Sequence, residues 1–331
     1  MSTVTAQTEV LEELRQADKL LLTTHENPDG DALGSLLAMQ WILEQLGKNS
    51  LMFMSPDEFP LPWEYRSWSF DRGMTGEPPE DVAERTIVFL DCGNIDRMPV
   101  DFLKRKGLHV LNIDHHHDNT RFGTVNLVVP TASCTAEIVW GLAKELGAQV
   151  TPAIADALYV ALVTDTGRFM YENTTPEAHR MACELIEAGV EPHAVYRRLY
   201  EDLPFRRLRL LQRALASVER FDDGTITVAS LTKGDFEETG SPETDSEGIV
   251  DHMRAVEGTK VAVLVRDLLG DDRNGLRKVS LRATDGSVDV SRIARELSGG
   301  GHPQAAGFST PLSYEEVVAR LREQVSLQLS G

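Results

Sequence analysis

Asp114-His115-His116 closes the apolar run 108–113, which puts one carboxylate and two imidazoles at the end of a predicted buried strand. Two other segments have the same form. Leu20 to Thr24 leads into His25-Glu26-Asn27-Pro28-Asp29-Gly30-Asp31, and Thr86 to Leu90 leads into Asp91-Cys92-Gly93. Ligands of open α/β sheets bind beyond the carboxyl ends of the strands. Three predicted strands therefore converge on one acidic, histidine-containing rim. Carboxylates crowded on one edge raise one another's pKa and resist close packing, a cost that a divalent cation removes. Oxygen donors with a few imidazoles suit hard to borderline ions, Mn2+ above Mg2+, and no thiolates gather there to make a structural zinc site. Two cations roughly 3.5–4 Å apart would activate a water, orient a phosphoryl group and neutralise charge on the attacking and leaving oxygens. No serine or cysteine motif suggests a covalent intermediate.

A second constellation lies near the C-terminus, in Ser298-Gly299-Gly300-Gly301-His302-Pro303-Gln304-Ala305-Ala306-Gly307-Phe308. Consecutive glycines allow close backbone approach and can turn several N–H groups toward one anion. Arg282, at the end of a predicted strand, offers a planar fork for a phosphate. An ordinary glycine loop and a salt-bridging surface arginine are the competing readings of the same residues.

Alternating strand and helix patterns must position the first constellation. Helical periodicity runs from Ala32 to Leu46, and again over Thr135 to Leu146 and Ile154 to Thr164, the last running into Asp165. Strands are predicted near 20–24, 51–54, 86–91 and 108–113, so the fold class is α/β, with a mainly parallel sheet covered by helices on both faces. Residues 56–79 read as an irregular excursion in which Trp63, Tyr65 and Trp68 cluster locally. From 176 to 218 the pattern is helical, and Arg206-Arg207-Leu208-Arg209 reads as a solvated face or a bridge between domains. After a turn at Asp222-Asp223-Gly224, strands near 226–231, 261–266 and 279–283 with helices near 289–297 and 314–327 make a smaller mixed α/β domain. Residues 234–246, acidic and rich in small residues, read as a flexible loop. The resulting division is 1–190 for the first domain, 191–220 for a helical linker and 221–331 for the second.

Composition narrows the partners. The chain has 331 residues and a formal net charge of −19, which repels long nucleic acid, because binding it needs tracks of Lys and Arg. A phosphorylated ligand must be small and locally held. No apolar run approaches the roughly 20 residues of a membrane span and residues 1–9 do not read as a secretory signal, so the expectation is a cytoplasmic protein. Cys92, Cys134 and Cys183 are scattered and odd in number, which fits reduced thiols.

Taken together, these motifs resemble the DHH/DHHA1 phosphoesterase family, NrnA-like, over nearly the whole chain. Its motifs are similar to His25-Glu26-Asn27-Pro28-Asp29-Gly30-Asp31, to Asp91, to Asp114-His115-His116 and to Asp165-Thr166-Gly167, with Gly299-Gly300-Gly301-His302 as the DHHA1 signature. The resemblance implies two Mn2+ ions, with Mg2+ or Co2+ as possible substitutes. His25 and Asp29 would hold one ion, Asp31, His115 and Asp165 the other, with Asp91 bridging. It implies that His116 faces the scissile phosphate and that Asp114 orients the histidines. Arg282, Gly299, Gly300, Gly301 and His302 would grip substrate across a cleft between the DHH and DHHA1 domains. His117 has no assigned part.

The implied activity is hydrolysis of very short RNA to mononucleotides and removal of the 3′-phosphate from adenosine 3′,5′-bisphosphate (pAp), by a homodimer. Cleavage of cyclic di-AMP or its linear product pApA is the alternative. A RecJ-type exonuclease fits less well, since that type usually carries a further nucleic-acid-binding domain. A nucleotide sensor without catalysis is disfavoured, because every motif position keeps a metal-ligating residue. A dinucleotide-binding dehydrogenase is excluded by the acids that stand where G-x-G-x-x-G would be required.

Overall fold

The computed structural model describes residues 3–68, 70, 74–98, 100–270 and 273–330. The chain forms two compact units, Met1–Glu201 and Asp202–Gly331. In the first, β1 (Lys19–Thr23), β2 (Asn49–Phe53), β3 (Met74–Thr75), β4 (Thr86–Leu90), β5 (His109–Asp114) and β6 (Val125–Val128) pair in parallel in the order β3-β2-β1-β4-β5-β6. The chain leaves β1 toward one side of the sheet and enters β4 on the other. That reversal opens a crevice beyond the carboxyl ends of these two neighbours.

Side chains alternate strictly along the strands, as the pleat demands. Leu20, Leu22, Val88, Leu90, Leu111 and Ile113 pack with α1 (Thr3–Gln16), α2 (Gly30–Gln45), α3 (Thr135–Leu146), α4 (Pro152–Asp165), α5 (Pro176–Glu187) and α6 (Pro192–Tyr200). Leu21, Ile87, Phe89 and Val110 face the other way, onto Met98, Phe102 and Leu103. The α-helices thus gather in one core cluster, while the opposite face is closed by short 3-10 turns at Ile95–Arg97 and Asp101–Lys104. Helix α1 was not anticipated, because its buried residues Ala6, Val10, Leu11 and Leu14 are diluted by polar neighbours. In the 56–79 excursion Trp63 and Tyr65 are buried, and Tyr65 stacks on Trp68 with ring centroids 5.6 Å apart. Ser69 and residues 71–73 lie outside the described residues. No helix among the described residues is long and apolar enough to cross a membrane.

Helix α2 lies so close to α4 that a Cβ on Gly34 would meet the Ala157 carbonyl oxygen at 2.4 Å. Gly141, within α3, has nothing in reach of an added Cβ. Gly34→Ala is expected to cost about 1–3 kcal/mol through overpacking, whereas Gly141→Ala should stabilise by roughly 0.5–1 kcal/mol through helix propensity. Urea midpoints of the two variants check this opposition of sign.

The second unit opens with α7 (Phe205–Ala216) and continues as β7 (Glu219–Phe221), β8 (Ile226–Leu231), α8 (Lys233–Thr239), α9 (Ile249–Arg254), β9 (Val261–Asp267), β10 (Arg277–Ala283), α10 (Val290–Glu296), β11 (Gly300–His302), β12 (Ala305–Thr310) and α11 (Tyr314–Ser330). Its mixed sheet has the order β11-β12-β10-β9-β8-β7, with β8 and β9 parallel. Val261, Val263 and Val265 face α10 and α11, while Ala262 and Leu264 face α7, α8 and α9. Of the segment read as a linker, α6 falls in the first unit and α7 in the second. The basic run of α7 is tied within its own unit, Arg206 to buried Asp245 and Arg207 to the Glu247 carbonyl. The expected flexible loop at 234–246 is corrected: it holds α8 and a 3-10 turn at Glu243–Ser246. Thr232 and Asp235 form a reciprocal capping box, which nucleates a helix that bulk composition hides.

Candidate metal centre and flanking residues

Helix α2 begins where Asp29 caps it, Oδ1 accepting from the Asp31 and Ala32 amides at 3.0 and 3.1 Å. The cap fixes one oxygen of Asp29 and leaves Oδ2 for another partner. Asp31, in the first turn of α2, is 1% exposed. Its carboxylate accepts from the amides of Thr135 and Ala136 at 2.6 and 3.0 Å, so it caps α3 from a different helix. Cys134, at the N-cap position of α3, makes no side-chain cap, and Asp31 fills that role.

Asp91 follows β4 in a left-handed conformation, φ 58°, which Asp tolerates better than most residues. Its amide donates to the Ile113 carbonyl of β5 at 3.1 Å. Asp91 Oδ2 lies 3.5 Å from His25 Nε2, and its Oδ1 lies 3.7 Å from His115 Nε2 and accepts from Thr135 Oγ1 at 3.0 Å. His115 Nε2 is also 3.9 Å from Asp31 Oδ2 and 3.7 Å from Asp165 Oδ2. Three carboxylates from three elements thus surround one imidazole nitrogen at separations too long for hydrogen bonds. Ligands about 2.1 Å from an ion span such gaps when the ion sits between them.

Among the groups of donor atoms close enough to share an ion are His25–Asp29–Asp91 and Asp31–Asp91–His115, with Asp91 common to both and to a further group with Asp114 and His116. The hard and borderline character of these donors fits divalent cations. Electrostatics agrees. Burial and then the charges of Asp91, Asp165 and Asp29 push the Asp31 carboxyl well above the ordinary range. Burial raises Asp165 to about 7, against the lowering pull of His115 and with Asp29 and Asp91 adding to the rise. Asp91 is held well below it: burial would raise it, but the facing His25, His116 and His115 rings outweigh that.

His116 and Asp114 form a separate pair beside this cluster. His116 Nδ1 donates to Asp114 Oδ1 at 2.7 Å, and Asp114 Oδ2 accepts from Asn119 Nδ2 at 2.5 Å. Burial disfavours the charged ring, yet the Asp114 hydrogen bond and charge lift His116 to about 9, which favours the charged ring. His117 is exposed.

In the second unit the glycine run is an edge β-hairpin, which corrects the expected loop. Gly300 pairs with Gly307 and His302 with Ala305, and β10 continues the rows with Ser280 and Arg282. Directly opposed residues share a face, so His302, Ala305 and Arg282 line one row and Gly300, Gly307 and Ser280 the next. Small residues form the floor between His302 and Arg282. Gly301 belongs to the opposite face, and at φ 135° an added Cβ would strike the Ala305 carbonyl oxygen at 2.4 Å, so the hairpin itself demands glycine there. Gly299 is likewise closed, its added Cβ 2.2 Å from the Gly307 carbonyl oxygen, while Gly300 is open. Arg282 Nε is 3.6 Å from Asp251 Oδ1.

Sequence reasoning missed the residues that hold the centre together. Thr135 and Asn119 orient Asp91 and Asp114, and Asn173 donates to Asp165 Oδ2 at 3.1 Å. Each is a common polar residue outside the charged motifs, and no spacing distinguishes it from a turn or a cap.

Comparison with known proteins adds an independent line. Residues 19–162 match the DHH family, N-terminal domain, and residues 223–330 match the DHHA1 domain. The chain is 34% identical over 320 residues to the bifunctional oligoribonuclease and PAP phosphatase NrnA of Thermus thermophilus, covering 93% of this chain and 90% of that protein. It is 26% identical over 305 residues to the protein of the same name from Bacillus subtilis, covering 91% and 92%. In fold it is similar to the crystal structure of an exopolyphosphatase-related protein from Bacteroides fragilis, with a TM-score of 0.85 at 24% identity, covering 99% of this chain and 97% of that one.

Proposed function

The chain belongs to the DHH family, with a DHHA1 domain after the DHH domain, and on that premise we propose a two-metal phosphoesterase that hydrolyses very short RNA to mononucleotides and converts pAp to AMP. It is a hydrolase of phosphate esters acting on nucleotides; the particular substrates and the choice of Mn2+ are our reading. The observation that carries it is the placement of Asp91 between two donor groups, His25–Asp29 on one side and Asp31–His115 on the other, with Asp165 beside His115.

When bound, two Mn2+ ions would supply water activation and charge neutralisation at phosphorus. The protein's own groups do the rest. His25 Nδ1 lies 2.7 Å from the Glu26 carbonyl oxygen and His115 Nδ1 lies 3.4 Å from that of Ala132. With the proton on Nδ1, each ring turns its Nε2 lone pair toward the carboxylates. The His116 imidazolium, steadied by Asp114, is set to donate from Nε2 to a phosphoryl or leaving-group oxygen. In this proposal the hairpin residues Gly299 to His302, with Arg282, bind substrate. Gly300 is the position where backbone can approach a ligand, since nothing in the fold fills the space beside it. Only short substrates suit a surface of net charge −19. We place the enzyme in the cytoplasm as a homodimer.

A substrate panel tests the reading. The protein with Mn2+ is assayed on pAp, RNA of two to five nucleotides, pApA and cyclic di-AMP, with EDTA as control. Metal-dependent release of AMP from pAp and of mononucleotides from the short RNAs is expected. Cleavage of the intact cyclic compound alone would overturn it.

A further inference from the structure

Arg97 ends the 3-10 turn that follows Asp91, and its carbonyl accepts from the Glu26 amide at 2.8 Å, locking this turn to the His25 loop. Arg97 is half-buried. In a chain with 52 Asp and Glu against 33 Lys and Arg, it has no carboxylate partner within ion-pair distance among the described residues. Arg105 and Arg121, which also lack one, are exposed. Among the described residues, the hydrogen-bond contact of the Arg97 side chain is Nη2 to His25 Nδ1 at 2.9 Å. That nitrogen cannot serve two neighbours in the same way. If it carries the proton, as the 2.7 Å approach to the Glu26 carbonyl favours, it cannot accept from Arg97. The guanidinium's donors then remain for an acceptor that the described residues do not provide. A half-buried arginine against the His25 ring of the donor cluster, paired with no carboxylate among the described residues, is arranged for an anion from outside.

We propose that Arg97 binds the non-bridging oxygens of the scissile phosphoryl group, alongside His116. The assignment rests on the phosphoesterase reading above, and it names a phosphate contact outside the charged motifs. A planar guanidinium can hold two phosphoryl oxygens at once, which a lysine cannot. Arg97 supplies positive charge on the protein side of the phosphate, where charge develops during in-line displacement.

The test compares the full-length protein with Arg97→Ala and Arg97→Lys by calorimetry, using inorganic phosphate and AMP as probes in the presence of Mn2+. These are the products that would carry the scissile group from pAp and from RNA. Arg97→Ala is expected to weaken both by about 10-fold or more, with Arg97→Lys in between. Binding of Mn2+ alone, followed by calorimetry, should stay within about two-fold. Unchanged AMP and phosphate affinity in Arg97→Ala would overturn the proposal. So would Mn2+ affinity falling in parallel with AMP affinity, since Arg97 would then merely position His25. If Arg97→Ala does not fold, Arg97→Lys carries the same comparison. Should the wild-type protein turn over nothing in the substrate panel while Arg97→Ala still loses AMP binding, the catalytic reading falls and the phosphate site stands.

Discussion

Asp91→Asn is expected to lower Mn2+-dependent phosphate release from pAp by about 1,000-fold or more, with the fold intact. Asn is isosteric and tolerates the left-handed backbone that Asp91 adopts at φ 58°, so the change removes charge without removing shape. The Asp91 amide would keep its bond to Ile113, and Asn could still accept from Thr135. What is lost is the one carboxylate common to both donor groups, and with it the negative charge on which two cations would converge. Circular dichroism and calorimetric titration with Mn2+ separate the cases. A folded variant retaining activity within about 10-fold of wild type would contradict the bridging role.

Asp165→Asn should move stability and metal binding in opposite directions. The Asp165 carboxyl is raised from the ordinary 3.8 to about 7 in the folded protein, chiefly by burial. The folded state therefore holds this proton more tightly than the unfolded chain does. For such a group, stability is fully present below about 3.8 and is lost as pH rises through about 7. Asp31, raised in the same direction, adds to the effect. After EDTA treatment, the wild-type melting temperature should fall as pH rises from 5 to 8, each lost kcal/mol lowering it by roughly 2–4 °C. Asp165→Asn has no charge to bury, so at pH 8 it should melt several degrees above wild type, and the gap should close toward pH 5. Its Mn2+ affinity should fall by roughly 10- to 100-fold. Melting curves that run parallel across this pH range would contradict the electrostatic account of the centre.

Much of the centre was legible because its chemistry is local in sequence. His25 to Asp31, Asp91, and Asp114 with His115 and His116 each follow an apolar strand, and parallel strands deliver their ends to one edge by construction. Asp165 was readable as the terminus of a helix, though its direction was not. The supporting polar residues were illegible for the opposite reason. Thr135 reaches Asp91 across 44 residues, and the α3 amides reach Asp31 across more than a hundred. The glycine run was misread as a loop because glycine composition marks both a flexible turn and an edge strand whose packing admits no Cβ. Only the contacts of Gly299 and Gly301 with β12 decide between them.

The amino-acid sequence alone determined the α/β class, the acidic rim at the strand ends and the donor types there, because hydrophobic period and motif order are properties of neighbours along the chain. Tertiary structure alone decided that Asp31 caps a foreign helix and that Arg97 stands half-buried without a carboxylate partner among the described residues, and it supplied the distances behind the bridging Asp91 that the resemblance implied. These depend on strand order and on which residues share a few ångströms of space. Charge, burial and hydrogen-bond partners act through that distance, and separation along the chain carries no record of it.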